Sequence, residues 1–210
     1  GLASATAQDA RQTYVPPALD TVRAIPAEHG MVVSAQNLAS EAGVDVLRNG
    51  GNAVDAAVAV GYALAVVYPT AGNIGGLADG ITTFLDFRER APLAAAKDMY
   101  LDKDGNVVKG LSTDTVLAVG VPGTVMGLET ARLRFGTRSR AELMAPAIRL
   151  ARDGFVLSAG DAAILDGGLA KLSKDPAATA IFLKPDGQRY RAGDLLRQPD
   201  LAASLETIAA

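Results

Sequence analysis

Between Ala56 and Tyr68 the chain carries no charged side chain, and this stretch limits the possible folds more than any other feature. As a helix it is too short to span a bilayer, so it has to be buried in protein. The spacing predicts a helix that begins at Asn52, whose side chain caps it, and ends at Pro69. Asp55 falls in its first turn, where the helix dipole favours a negative charge. Ala53, Ala57, Gly61 and Ala65 recur every fourth residue, a stripe without bulk that lets a sheet or helix approach closely. A helix apolar nearly all round is normally buried, so this one is expected at the centre, packed on both sides. A helix just before it, from Asn37 to Asn49, places Leu38, Ala42, Val46 and Leu47 near one face and stops at Gly50 and Gly51.

Residues 1–28, with Pro16, Pro17 and Pro26, read as an N-terminal arm, and residues 29–210 as part of a single domain. Pro122-Gly123 predicts a turn into a helix over 124–135, closed by Gly136. Ser139-Arg140-Ala141-Glu142 has the capping-box pattern and opens a helix to Arg152, with Gly154 beyond it and Pro146 expected to kink or delay it. Asp200 is expected to cap a last helix lined by Leu201, Leu205 and Ile208. No glycine or proline stops that helix before Ala210, so the protein is expected to continue. The best strand is Ile81 to Phe87, ITTFLDF, preceded by the turn signal Asp79-Gly80. Its partner arm would be only Leu77-Ala78, so a segment that should pair here is short or missing. Asp104-Gly105 and Asp186-Gly187 mark two more hairpin-like turns, the second between Ile181-Phe182-Leu183 and Gln188 to Tyr190.

The residue types present exclude much chemistry. The absence of cysteine rules out disulfides, thiol catalysis and cysteine-ligated metals. One histidine, His29, leaves no multi-histidine metal site within the chain. A net charge of −3 with Lys and Arg scattered argues against a nucleic-acid partner. The 49% hydrophobic and 20% charged content fits a soluble globular protein, so no membrane partner is expected. The opening residues GLASATAQDA are no intact signal peptide but are compatible with the tail left by cleavage of one.

Four places could carry function. Gly72-Asn73-Ile74-Gly75-Gly76 could cradle a phosphate, but it fits neither dinucleotide nor P-loop patterns and reads better as tight backbone. His29 has no second histidine or cysteine and reads as a surface or loop residue. Asp102 and Asp104 resemble the start of a calcium loop, yet Val107 and Val108 follow where further oxygen ligands belong. Asp86-Phe87-Arg88-Glu89-Arg90 leaves the best strand with two arginines and two carboxylates. An arginine at a strand end can hold a carboxylate with two parallel hydrogen bonds, which lysine cannot match. Taken alone, surface ion pairing is the commoner explanation of these charges.

Together, GMVVSAQNLASEAGVDVLRNGGNAVDAAVAVGYALAVVYPTAGNIGG, DFRERAP, AVGVPGTVMGL and APAIRLARDGF resemble the large subunit of γ-glutamyltransferases, in that family's order and from Gly30 to Ala210. The resemblance implies an α+β, N-terminal-nucleophile hydrolase fold, a four-layered αββα sandwich to which this chain contributes mainly helices and some strands. It implies a precursor that cuts itself, and a partner small subunit from that precursor whose first residue is a nucleophilic threonine. That threonine attacks the γ-glutamyl amide of glutathione and related compounds, and the group then passes to water, an amino acid or a peptide. The threonine's own α-amine serves as base, so neither histidine nor cofactor is expected. The arginine of the DFRERAP motif, Arg88, resembles the family residue that binds the α-carboxylate of the γ-glutamyl group, while Glu89 and Asp86 orient it or the strand end. No catalytic residue is assigned to this chain. A periplasmic or secreted location is implied. Where the family reads GGGGFM and further strand residues, this chain passes directly from Gly76 to Leu77, which reads as a missing segment rather than a true deletion. The neighbouring possibilities are a cephalosporin (glutaryl) acylase of the same family and an inactive homologue acting as a scaffold.

Overall fold

The structure, a computed structural model, describes residues 27–68 and 85–210, and residues 32–210 of these form one unit. Its axis is the apolar helix. Helix α1 spans Asn37–Arg48 and helix α2 spans Ala53–Val67. The fully buried Val66 and the nearly buried Val58, Tyr62 and Val67 make α2 the core element. Helix α1 lies along it through Ala39, Ala42 and Gly43. Helices α3 (Thr124–Phe135) and α4 (Arg140–Asp153) pack against other sides of α2. Leu143, Met144, Ala147 and Ala151 of α4 are all but completely buried. Burying each large apolar side chain contributes about 1.5–3 kcal/mol, so this seam dominates the stability of the unit.

Two polar joints tie the ends of α2 to the rest. At its start Asn52 caps the helix, its Oδ1 accepting from the N–H groups of Val54 and Asp55 at 2.9 Å each. Asp55 closes a capping box by accepting from the Asn52 N–H at 2.9 Å. Asp55 also has no exposed surface and reaches across to the turn between α3 and α4. There its carboxylate accepts from the Thr137 hydroxyl at 2.6 Å, the Thr137 N–H at 2.9 Å and the Arg138 N–H at 3.2 Å. The Asn52 side-chain amide donates to the Phe135 carbonyl at 2.7 Å, and Arg138 donates to the Asn49 carbonyl. At the other end the buried Gln198 donates from Nε2 to the Val66 carbonyl at 2.9 Å and from its backbone to the Ala151 carbonyl at 2.8 Å.

Beyond α4 the chain turns at Gly154, whose φ of +89° suits only glycine without strain. Strand β1 (Phe155–Val156) then pairs antiparallel with β2 (Leu195–Leu196). Between them lie α5 (Ala159–Leu172) and α6 (Pro176–Phe182), and α7 (Pro199–Ala209) returns to pack on α4. Helices thus dominate this α+β chain. No helix among the described residues is long and apolar enough to cross a membrane.

Several expectations need correction. The small-residue stripe of α2 is its least buried line: Ala53 and Ala65 are exposed, while Ala57 and Gly61 are half-buried. The larger Val58, Tyr62, Val66 and Val67 face the other helices instead, because they release more apolar area on burial. Pro146 does not delay α4, which starts at Arg140 and runs through the proline to Asp153, since buried Leu143, Met144 and Ala147 hold the helix against α2 on both sides of it. Helix α1 opens on Asn37 as expected, capped by Gln36, whose Oε1 accepts from the Leu38 N–H at 2.6 Å. Asp200 lies inside the first turn of α7, not at its cap. Ile181 and Phe182 end α6 instead of forming a strand, although the turn at Gly187 (φ +78°) and the Leu183–Arg189 bridge are present. The turn at Gly105 also forms, with a Leu101–Val107 bridge. Of the expected strand over 81–87, residues 81–84 lie outside the described residues and 85–87 pair with no strand among those described, while the Asp79-Gly80 turn and the junction between Gly76 and Leu77 also lie outside them.

Burial alone would push the Asp55 carboxyl up, but the hydrogen bonds from Thr137, Asn52 and Arg138 outweigh it and hold it below its ordinary value of 3.8. Replacing Asp55 with Asn turns an amide N–H toward these donors and should cost about 3 kcal/mol of unfolding free energy, read by urea denaturation of the complete protein. The pH dependence follows from the direction of the shift. The unfolded chain holds a proton on Asp55 that the folded chain releases. The stabilisation is therefore complete above about pH 4 and is lost as pH falls through the lower folded value. In D55N this acid-side loss should be shallower than in the parent, which parallel urea series between about pH 2 and 5 will test.

Candidate functional site

Burial alternates over residues 85–88, Leu85 and Phe87 half-buried and Asp86 and Arg88 exposed, and Glu89 and Arg90 beyond them are exposed too. The segment is seated on the chain around the start of α3. Arg90 and Val121 form an antiparallel bridge, with N–H to carbonyl distances of 3.1 and 2.8 Å in the two directions. Phe87 lies directly on Gly127. A β-carbon at Gly127 would stand 2.6 Å from Phe87 Cδ1 and closer still to its Cβ and Cγ. A β-carbon at Gly123 would lie 3.0 Å from the Arg88 carbonyl oxygen and closer to that of Phe87.

Alternation sends Arg88 outward, its side chain 73% exposed. Its Nη2 donates to Glu89 Oε1 at 2.9 Å, and its backbone N–H donates to Asp86 Oδ1 at 3.3 Å. The bond from Arg88 holds the Glu89 carboxyl below the usual glutamate range, and Glu89 in turn raises Arg88. Glu89 engages the guanidinium through one nitrogen, and most of the fork faces solvent. A planar carboxylate arriving from outside can therefore meet the fork side on.

The other candidates resolve into structural roles. His29 is exposed beside Glu28, 3.9 Å away. Asp102 Oδ1 accepts from the N–H groups of Asp104 and Asn106 at 2.9 Å each, so it closes a turn. Among the described residues no three His, Asp or Glu side chains gather as a metal site. The glycine-rich run at 72–76 lies outside the described residues. A charged cluster that sequence reasoning missed joins α3 to α4. Arg132 grips Glu129 with two bonds of 2.8 and 2.7 Å and donates to the Arg138 carbonyl at 3.1 Å, with Arg140 3.8 Å from Glu129. Burial, followed by the Glu129 charge, raises the adjoining Tyr62 hydroxyl. An open groove of about 310 Å³ between α1 and α4 holds Asp45, Arg138, Glu142 and Arg149, charges of both signs. Sequence reasoning also missed the seat under Phe87. The signal was there as glycines four apart, Gly123 and Gly127, at the start of a helix.

Comparison with known proteins places these features. The sequence model of the γ-glutamyltranspeptidase family matches residues 39–210. A glutathione hydrolase proenzyme of Pseudomonas sp. (strain A14) is 58% identical over 193 residues, covering 89% of this chain and 34% of that protein. The glutathione hydrolase proenzyme of Escherichia coli (strain K12) is 46% identical, covering 90% of this chain and 34% of that protein. The chain thus spans about a third of the length of the curated relatives it matches. Among solved structures, the γ-glutamyltranspeptidase of Helicobacter pylori superposes with a TM-score of 0.84 at 46% identity, covering 89% of this chain and 56% of that one. The chain belongs to the γ-glutamyltranspeptidase family.

Proposed function

We propose that the protein acts as a glutathione hydrolase and γ-glutamyltransferase, and that Arg88 is the residue of this chain that holds the substrate. The observation that carries the reading is the outward-facing guanidinium of Arg88 on a segment whose two ends are pinned to α3 and its approach. In this reading the α-carboxylate of a γ-glutamyl compound takes two parallel bonds from Arg88, with Glu89 holding the fork from one side. Fixing the carboxylate sets the distance to the γ-amide, because the glutamyl side chain between them is short. Positioning of that kind converts binding into rate at the scissile bond. The attack belongs to a threonine on a small subunit cut from the same precursor, and the acyl group then goes to water or an amine. An exported location goes with this reading.

Replacing Arg88 with Ala in the complete protein should raise KM for a γ-glutamyl anilide by about a hundredfold or more, since a desolvated charge pair loses one partner. Arg88→Lys should recover part of that loss, keeping the charge without the fork. Unchanged kinetics in both variants would remove Arg88 from the site. A glutaryl anilide lacks the α-amine and should be turned over at least about tenfold more slowly than the γ-glutamyl anilide. The reverse preference would assign an acylase, and turnover of neither substrate would assign a binding protein.

A further inference from the structure

We infer that Gly127 is a positioning residue: its missing side chain forms the seat for Phe87, and that seat sets where Arg88 stands. The inference rests on the reading of Arg88 as the carboxylate clamp.

Gly127 sits inside α3, a position where glycine costs about 1 kcal/mol relative to alanine. Backbone conformation does not explain it, because Gly127 is absent from the positive-φ glycines and lies in a regular helix. Space does explain it. Gly127 is buried, and the ring of Phe87 occupies the volume a side chain would fill. Gly123, one helical turn earlier and on the same face, lets the backbone of Phe87 and Arg88 come equally close. The Arg90–Val121 bridge fixes the far side. Arg88 is thus bracketed by a keyed residue before it and a hydrogen-bonded residue two positions after it.

A methyl group at Gly127 would have to move Phe87 by about 1.4 Å or more to reach ordinary carbon–carbon contact. Because Arg88 follows directly, its guanidinium moves too. A fork displaced by that much no longer meets both oxygens of the carboxylate it would hold, so the loss falls on substrate binding.

The test is a double-mutant cycle in the complete protein with a γ-glutamyl anilide. Gly127→Ala should raise KM by about tenfold or more with kcat changed less than about threefold, and in the Arg88→Ala background it should change KM by less than about twofold. Gly167→Ala serves as the control, because it adds the same methyl within α5 and a β-carbon there meets nothing within 4 Å. Equal KM changes in both backgrounds would overturn the inference, since a general structural effect acts whether or not Arg88 is present. Gly127→Ala kinetics matching those of Gly167→Ala would also overturn it. Calorimetry reports whether each variant is folded. If Gly127→Ala is not, Phe87→Ala takes its place in the same cycle, removing the key instead of filling the lock, with the same expected and overturning results. If Arg88→Ala itself leaves KM unchanged, the carboxylate reading falls. If Arg88→Ala raises KM and neither partner variant does, only the seat falls.

Discussion

A carboxylate with no exposed surface needs a full set of donors to stay charged, and the Asp55 side chain has one. It collects a hydroxyl and three backbone N–H groups from two separate parts of the chain. Unpaired, a charge at that depth would cost far more than the helix cap it closes could return. The donors therefore have to be brought in, and bringing them in dictates where the α3–α4 turn lies. Helix α2 could be buried against many surfaces by hydrophobicity alone, since apolar burial is not directional. Asp55 is what makes one arrangement of α2, α3 and α4 better than its neighbours.

The far end of α2 follows the same logic with a neutral group. The Gln198 side chain satisfies the Val66 carbonyl there and its backbone N–H binds the Ala151 carbonyl, so that the ends of α2 and α4 and the start of α7 meet at one residue. Between these joints the contacts are almost wholly apolar. The charged cluster of Glu129, Arg132 and Arg140 lies at the margin of the α2–α3–α4 seam, its side chains largely buried and paired with one another. Stability and specificity are thus carried by different residues. Valines, leucines and alanines supply the first, and two buried polar side chains supply the second.

Local signals in the sequence found most helices because their caps are written within a few residues. Asn52 with Asp55, and Ser139 with Glu142, could each be read in place. Helix α5 carries the same signature at Ser158 and Asp161 and went unread, as did α6 with Asp175 before Pro176. What could not be read was anything that depends on a distant partner. The role of Asp55 beyond its own helix needs Thr137, 82 positions away. The stripe of small residues on α2 faces away from the described helices, because periodicity shows that a face differs and not which face turns toward them. The role proposed for Arg88 comes from its motif. That its placement depends on a pair of glycines was not legible, since a glycine chosen for space and a glycine chosen for a turn look alike in sequence.

Helix α3 joins these themes mechanically. Its last turn is fastened to Asn52 through the Phe135 carbonyl, next to the Asp55 joint, while its first turn carries the residues under Phe87. Its 12 residues make a rod about 18 Å long. A tilt of about 5° over that length displaces one end relative to the other by about 1.5 Å. In the proposed reading, the tolerance with which Arg88 can be aimed therefore follows from how stiffly α3 is held, through the Phe135 carbonyl in its last turn and buried Leu128 near its first.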